Sequence, residues 1–421
     1  MSSAWRTPAR PVRRTATNGR IGHNRRYGEH MYTISAISKA EYWRFLLTHS
    51  TATYQQTPEW ADARRAQWEP ELIGWFDQND SICAAAVLRY RRIPGTNRSF
   101  VFIPQGPLLD WSDPEIADQL AALGAYLSSR GVFGVRITPV VTLRKWEAAA
   151  VKAGLANPEV DRLLDIEPTE VNTVGFGLRR TLRAAGWREA PDEKHSDASY
   201  PRFNFWLNLT GRTEEAVLAR MSKTWRNSIR KAERAGLDVA VGSGEDLSVV
   251  HRLCEETARR NDFVAHPHNY FKAMWDALGD DFPGHFNLFI AYQDGLAIAA
   301  NATAQVGSWA QGVFAAKSTE RTNARPSNAL YWVEIRQALA DGAELFDIGG
   351  VKDTLHEEDP AAGLVRFKAG LGADAYEYIG AWDLPLQPQM YAAFTRLLPL
   401  YASAAARLRS ITAGLSTSRH R

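Results

Sequence analysis

One hairpin pattern occurs twice in this chain, and that repetition restricts the fold more than any other feature. Residues 72–85 read Leu-Ile-Gly-Trp-Phe-Asp-Gln-Asn-Asp-Ser-Ile-Cys-Ala-Ala, and residues 288–300 read Leu-Phe-Ile-Ala-Tyr-Gln-Asp-Gly-Leu-Ala-Ile-Ala-Ala. In each, two apolar runs flank a short turn of Asp, Asn, Gln or Gly, the pattern of an antiparallel hairpin. Each hairpin leads through a helical stretch to a core strand, 133–138 in the first half and 345–348 in the second. Repetition of one supersecondary unit predicts a duplicated α/β (α+β) fold built on mixed sheets. At 421 residues the chain is long enough for two such cores.

Apolar periodicity predicts helices over 38–48, 113–130, 141–153, 246–262, 268–278 and 327–341. Further strands are expected at 100–103, 203–209 and 308–315. The polar, turn-rich stretch 186–201 reads as a connection, which gives domains over 31–185 and 195–385. Residues 1–30 have almost no aliphatic content and predict a disordered basic leader. Residues 389–421 predict a basic helical tail, broken at Pro399 and docked on the domain.

The net charge of +3 hides a local pattern. The leader has seven arginines against one acid, the tail has five arginines and no acid, and the body between them is −8. Any polyanion contact should therefore be local, which argues against a uniformly basic DNA binder. Cys83 and Cys254 lie far apart without metal-ligand spacing and read as core thiols of a reducing, cytoplasmic compartment. No run is long and apolar enough to span a bilayer, and the leader lacks the apolar segment of a secretory signal.

One local cationic feature stands out over 213–239. Val217, Met221, Trp225, Ile229 and Ala232 fall on one helical face, with Lys223, Arg226, Arg230 and Arg234 on another and Lys231 beside them. Between Arg220 and Arg234 there are six basic residues and one acid, an imbalance that a face made only for solubility would not show. This predicts a polyanion-facing ridge on one helix, or on two joined near Ser222.

Signatures of nucleophilic, metal and P-loop chemistry are missing from the sequence. His266 and His268 flank a proline as an isolated pair, and no metal is expected. The stretch 347–351 ends a strand in a glycine turn, but lacks the third glycine and following helix of a dinucleotide site. An acyl-CoA fold wants glycines in the loop before the last main helix, and residues 321–330 contain none. Lys368, flanked by Phe367 and Leu371 and close to two glycines, would act as an electrostatic clamp if partly desolvated, although taken alone it reads as a surface lysine.

Several segments together resemble the Fem family (FemA, FemB and FemX types), the aminoacyl-tRNA-dependent transferases that build peptidoglycan cross-bridges. They are the ridge at 221–239, Gln56-x-x-x-Trp60-x-x-x-Arg64, Pro104-Gln105-Gly106-Pro107, Thr257-x-Arg259-Arg260-x-x-Phe263, Phe346-Asp347-x-Gly349-Gly350 and Phe367-Lys368-x-Gly370-Leu371. Their order matches the family over roughly 33–385. The resemblance implies two tandem GNAT-like acyltransferase domains. It implies an aminoacyl-tRNA donor and a peptidoglycan-precursor acceptor, lipid II or UDP-MurNAc-peptide, with neither metal nor cofactor. A peripheral contact with the inner membrane face fits such an acceptor.

By position the resemblance makes Lys368 the oxyanion clamp, with Phe367 packing the catalytic site. Arg64, and Arg259 or Arg260, would meet the acceptor's phosphates, and Gln56, Trp60, Tyr331, Asp347, Gly349 and Gly350 would complete its site. Lys223, Arg226, Arg230 and Lys231 are candidates for tRNA phosphate. Arg64 and Gln105 stand where the family has lysine and arginine, Leu371 replaces a phenylalanine, and Thr138 stands where an acid is common. No heptads run between Lys231 and Leu288, which predicts the absence of a coiled-coil arm. Rival readings are the same donor chemistry on a small peptide or antibiotic intermediate, an acyl-CoA N-acyltransferase, and a non-catalytic tRNA- or lipid-binding relative.

Overall fold

A computed structural model describes residues 32–190, 200–261, 263–319 and 322–396. The predicted leader at 1–30, and the tail beyond 396, lie outside the described residues.

Both hairpins form. Glu69–Phe76 pairs antiparallel with Ile82–Arg92, and His285–Gln293 with Leu296–Val306. The first sheet has seven strands in the order Thr33–Ala36, Glu69–Phe76, Ile82–Arg92, Ser99–Ile103, Val132–Ile137, Trp382–Pro385 and Arg188–Glu189. The second has nine: Asp238–Val241, His285–Gln293, Leu296–Val306, Trp309–Lys317, Leu345–Val351, Phe203–Asn208, Asp374–Tyr378, Thr142–Trp146 and Glu170–Val171. Among the described residues each sheet is mixed, with one parallel pair: Ser99–Ile103 beside Val132–Ile137, and Trp309–Lys317 beside Leu345–Val351. The helices crossing between these parallel strands are Ile116–Ser129 and Pro326–Ala340.

The halves exchange strands. Thr142–Trp146 and Glu170–Val171 lie in the second sheet, while Trp382–Pro385 returns to the first. The sequence predicted one helix over 141–153, but Thr142–Trp146 is a strand and the helix begins at Ala148. The cause is a distant partner: this strand pairs with Asp374–Tyr378, Leu143 and Trp146 are buried, and Arg144 meets Glu377. A core of Tyr42, Tyr54 and Trp60 with Met274, Leu278 and Phe282 then joins the halves. The described start of the C-terminal helix also docks, with Phe394 stacked on Phe100 at 5.1 Å and against Phe133 at 5.2 Å.

Between Lys231 and Leu288 the helices Leu247–Asn261 and His268–Leu278 have 15 and 11 residues.

Candidate active site

Lys368 sits on the helix Ala362–Leu371, whose Val365, Ala369 and Leu371 anchor it in the second core. The lysine is 3% exposed, and its Nζ donates to the carbonyls of Gly349 at 2.6 Å and Gly350 at 3.0 Å. Those carbonyls are available because Leu345–Val351 loses register with Phe203–Asn208 between Asp347 and Gly350. Gly349 takes φ +88°, and a side chain is strained there.

Asp347 holds this turn from below. Fully buried, it accepts the Gly349 N–H at 2.8 Å, the Tyr200 hydroxyl at 2.8 Å, and the amides of Asn204 at 3.0 Å and Gln311 at 3.1 Å. It is therefore a support for the glycine turn and Lys368. Burial pushes the Lys368 ammonium down to about 7, against the opposing pull of Asp347. Burial also raises the Asp347 carboxyl, offset by its donors and by Lys368. A buried amine poised near neutrality can hold a developing oxyanion and can also move a proton.

The lysine stands where the sheet opens. Pairing between the two parallel strands ends at Gln311↔Asp347, although they continue to Lys317 and Val351. Beyond that point the two strands no longer pair, which leaves their facing backbone groups outside the ladder. Phe367 packs between Trp225 at 4.7 Å and Tyr331 at 5.3 Å, and Trp225 Nε1 donates to the Phe367 carbonyl at 2.8 Å. Sequence reading missed Glu334, three residues beyond Tyr331 on the same helix. It is 3% exposed, faces Asn301, and is pushed up to about 8 by burial.

The first half contributes a second group of residues. Gln56 is buried as a strut: its amide donates to the Gln105 carbonyl and its oxygen accepts the Thr53 N–H. Trp60 is also buried, and donates to Gln55 Oε1 at 3.1 Å. Arg64 lies 5.2 Å from the Tyr270 ring centre and 5.9 Å from that of Trp60. Sequence reading also missed Arg89, which is buried, donates to the Gln55 carbonyl at 2.6 Å, and is pushed down to about 10 by burial and by Arg64. Its strand is buried without a break from Ala84 to Arg89, and the sequence gave no sign that this burial includes the guanidinium. Tyr54, beside Arg89 and Tyr270, is within electrostatic reach of Asp347, which relates the two groups in space.

The FemAB family model matches residues 37–294 and 287–398, nearly the whole described chain. The chain is a member of the FemAB family. The UDP-N-acetylmuramoylpentapeptide-lysine N(6)-alanyltransferase of Weissella viridescens is 24% identical over 337 residues, which is 79% of this chain and 89% of that protein. A lipid II:glycine glycyltransferase of Staphylococcus saprophyticus subsp. saprophyticus is 19% identical over 434 residues, 86% of this chain and 95% of that one. The crystal structure of FemX superposes with a TM-score of 0.70 at 17% identity, covering 86% of this chain and 99% of that one. This FemAB protein thus has the FemX fold, a GNAT-like mixed α/β unit in tandem.

On this FemAB scaffold the ridge is two helices, Glu214–Arg220 and Lys223–Arg234. Ser222 divides them: its side chain accepts the Trp225 N–H at 3.2 Å and its own N–H donates to the Gly370 carbonyl at 2.8 Å. The whole predicted apolar stripe is buried, and Lys223, Arg230 and Lys231 are exposed. Arg226 is occupied differently. Its Nη1 donates to the Leu218 and Met221 carbonyls, closing the C-terminus of the preceding helix. Arg259 and Arg260 end the helix Leu247–Asn261, and Arg260 Nη1 donates to the Lys317 carbonyl at 3.1 Å. His266 stacks on Tyr270 at 3.9 Å.

Proposed function

We propose that this FemAB protein moves an amino acid from aminoacyl-tRNA to an amine of a peptidoglycan-precursor stem peptide, on lipid II or UDP-MurNAc-peptide, at the cytoplasmic membrane face. The observation that carries the reading is Lys368, buried yet poised near neutrality where the parallel strands part. The names of the Weissella and Staphylococcus relatives support the acceptor class.

In the reaction the acceptor amine attacks the ester carbonyl of the donor. A C–N bond forms, the carbonyl oxygen becomes an oxyanion, and collapse breaks the ester C–O bond. The amine loses one proton and the departing ribose oxygen gains one. Lys368, oriented by the Gly349 and Gly350 carbonyls, donates its third N–H toward the oxyanion. Phe367, Trp225 and Tyr331 keep water from the ester. Lys223, Arg230 and Lys231 offer salt-sensitive contacts to tRNA phosphate, and Arg64 with Arg260 meets the acceptor's phosphates.

Incubating purified protein with charged tRNA and muropeptide precursors, and weighing the product by mass spectrometry, tests the reading. Lys368→Met is expected to lower kcat by about 10²–10³-fold while the protein stays folded. An undiminished rate removes Lys368 from the mechanism, and transfer from acyl-CoA but not from tRNA overturns the donor.

A further inference from the structure

Beside the acceptor arginines the chain exposes an apolar tip. Phe263 and Val264 follow the helix Leu247–Asn261 and are 46% and 73% exposed, although the Phe263 N–H is held by the Ala258 carbonyl at 3.1 Å. An ordered turn that holds an aromatic and a β-branched side chain in water costs hydrophobic free energy unless something covers them. Four cations cluster at the end of the helix that leads into the tip: Arg259 and Arg260 on its last turn, Lys317, whose carbonyl accepts from Arg260, and Arg325 within electrostatic reach of Lys317. Lys317 is fixed in this company, because its backbone N–H and carbonyl both bond the Thr257 hydroxyl, at 2.9 Å and 3.1 Å. Burial, Arg260 and Arg325 together lower its ammonium. The nearby Glu256 is engaged by Arg252 at 2.8 Å.

We infer that this edge is a membrane-docking surface, with Phe263 and Val264 entering the headgroup–acyl boundary of an anionic bilayer and the four cations facing its phosphates. An apolar tip within a cationic rim is the composition that binds such an interface. Placement strengthens the assignment. His266, two residues past Val264, stacks on Tyr270, and Tyr270 carries Arg64 on its ring. The segment that carries the tip is therefore linked through His266 and Tyr270 to Arg64, and on the proposed function a lipid-linked diphosphate held by Arg64 would lie at headgroup depth. The inference rests on the lipid-linked branch of the proposed function and selects it over the nucleotide-linked branch.

The test uses the full chain and vesicles of phosphatidylcholine with or without phosphatidylglycerol. Parent protein is expected to sediment with the anionic vesicles. Phe263→Ser with Val264→Ser should weaken that binding about tenfold, and Lys317→Glu with Arg325→Glu should abolish the anionic preference. The serine pair should leave turnover of a water-soluble UDP-linked acceptor within about twofold of parent, and slow turnover of a vesicle-embedded acceptor about tenfold. Parent protein that ignores anionic vesicles, or variants that bind them like parent, overturn the inference. So does a glutamate pair that keeps vesicle binding and loses tRNA retention on a filter, which assigns the cations to the donor. If parent turns over no acceptor yet the serine pair still loses vesicles, the proposed function fails and the docking surface stands.

Discussion

Lys368 and Asp347 form a buried pair whose members act on each other through the glycine turn between them. An opposite charge favours the charged form of a neighbour, so the Asp347 carboxylate holds the Lys368 ammonium higher than burial alone would. Asp347→Asn removes that support, and the descending limb of kcat/KM against pH should move to lower pH by about one unit or more. An unmoved limb would show that Asp347 only shapes the turn. The same lysine leaves a signature in stability. Between about 7 and its ordinary value of 10.5 the unfolded chain binds a proton that the folded chain does not. Stability should therefore rise with pH across that window, and Lys368→Met should flatten the rise in urea titrations. Lys368 was marked in sequence by its family motif, although the glycine carbonyls that hold it lie 19 and 18 residues away. Arg89 and Glu334 were not, because burial of a polar side chain inside a strand or helix is decided by distant partners such as Gln55 and Asn301.

At the scale of elements, the ridge and the lysine helix are fitted to each other at Gly370. A Cβ there would lie 2.9 Å from Trp225 Cδ1 and 3.3 Å from its Nε1. Alanine in a helix usually gains up to about 1 kcal/mol over glycine, but overpacking a core contact costs about 1–3 kcal/mol. Gly370→Ala should therefore lower stability and also depress kcat, because the helix that moves carries Lys368. Gly363, on the same helix with nothing within 4 Å of its Cβ position, is the control, and Gly363→Ala should be neutral or slightly stabilising. Equal effects at both sites would mean that Trp225 yields. The helical spacing of Val217, Met221, Trp225, Ile229 and Ala232 foretold the buried stripe, because helix periodicity is local. It did not foretell that Arg226 folds back onto Met221, since periodicity assigns a face and not a hydrogen-bond partner. The strand Thr142–Trp146 escaped for the corresponding reason: its pairing partner lies far along the chain, at Asp374–Tyr378.

For the whole molecule, the duplicated hairpins announced two units, but the strand exchange that binds them is invisible to local pattern. One lock is Arg136 to Asp383, a bidentate pair at 2.7 Å and 2.8 Å with side chains 4% and 0% exposed. Asp383 also accepts the Tyr391 hydroxyl at 2.6 Å, which ties the C-terminal helix to the same point. Removing one partner of a buried pair leaves the other charge desolvated and costs about 3–5 kcal/mol, more than a well-packed apolar replacement of both. Asp383→Ala should lose stability of that order in urea. Hydrogen exchange decides where the loss falls. The strand Trp382–Pro385 lies between Val132–Ile137 and Arg188–Glu189. Protection should therefore drop in Val132–Ile137 and persist in Leu296–Val306, deep in the other sheet. An equal drop in both strands would instead show that the exchanged strands and the core that joins the halves make the two sheets one cooperative unit.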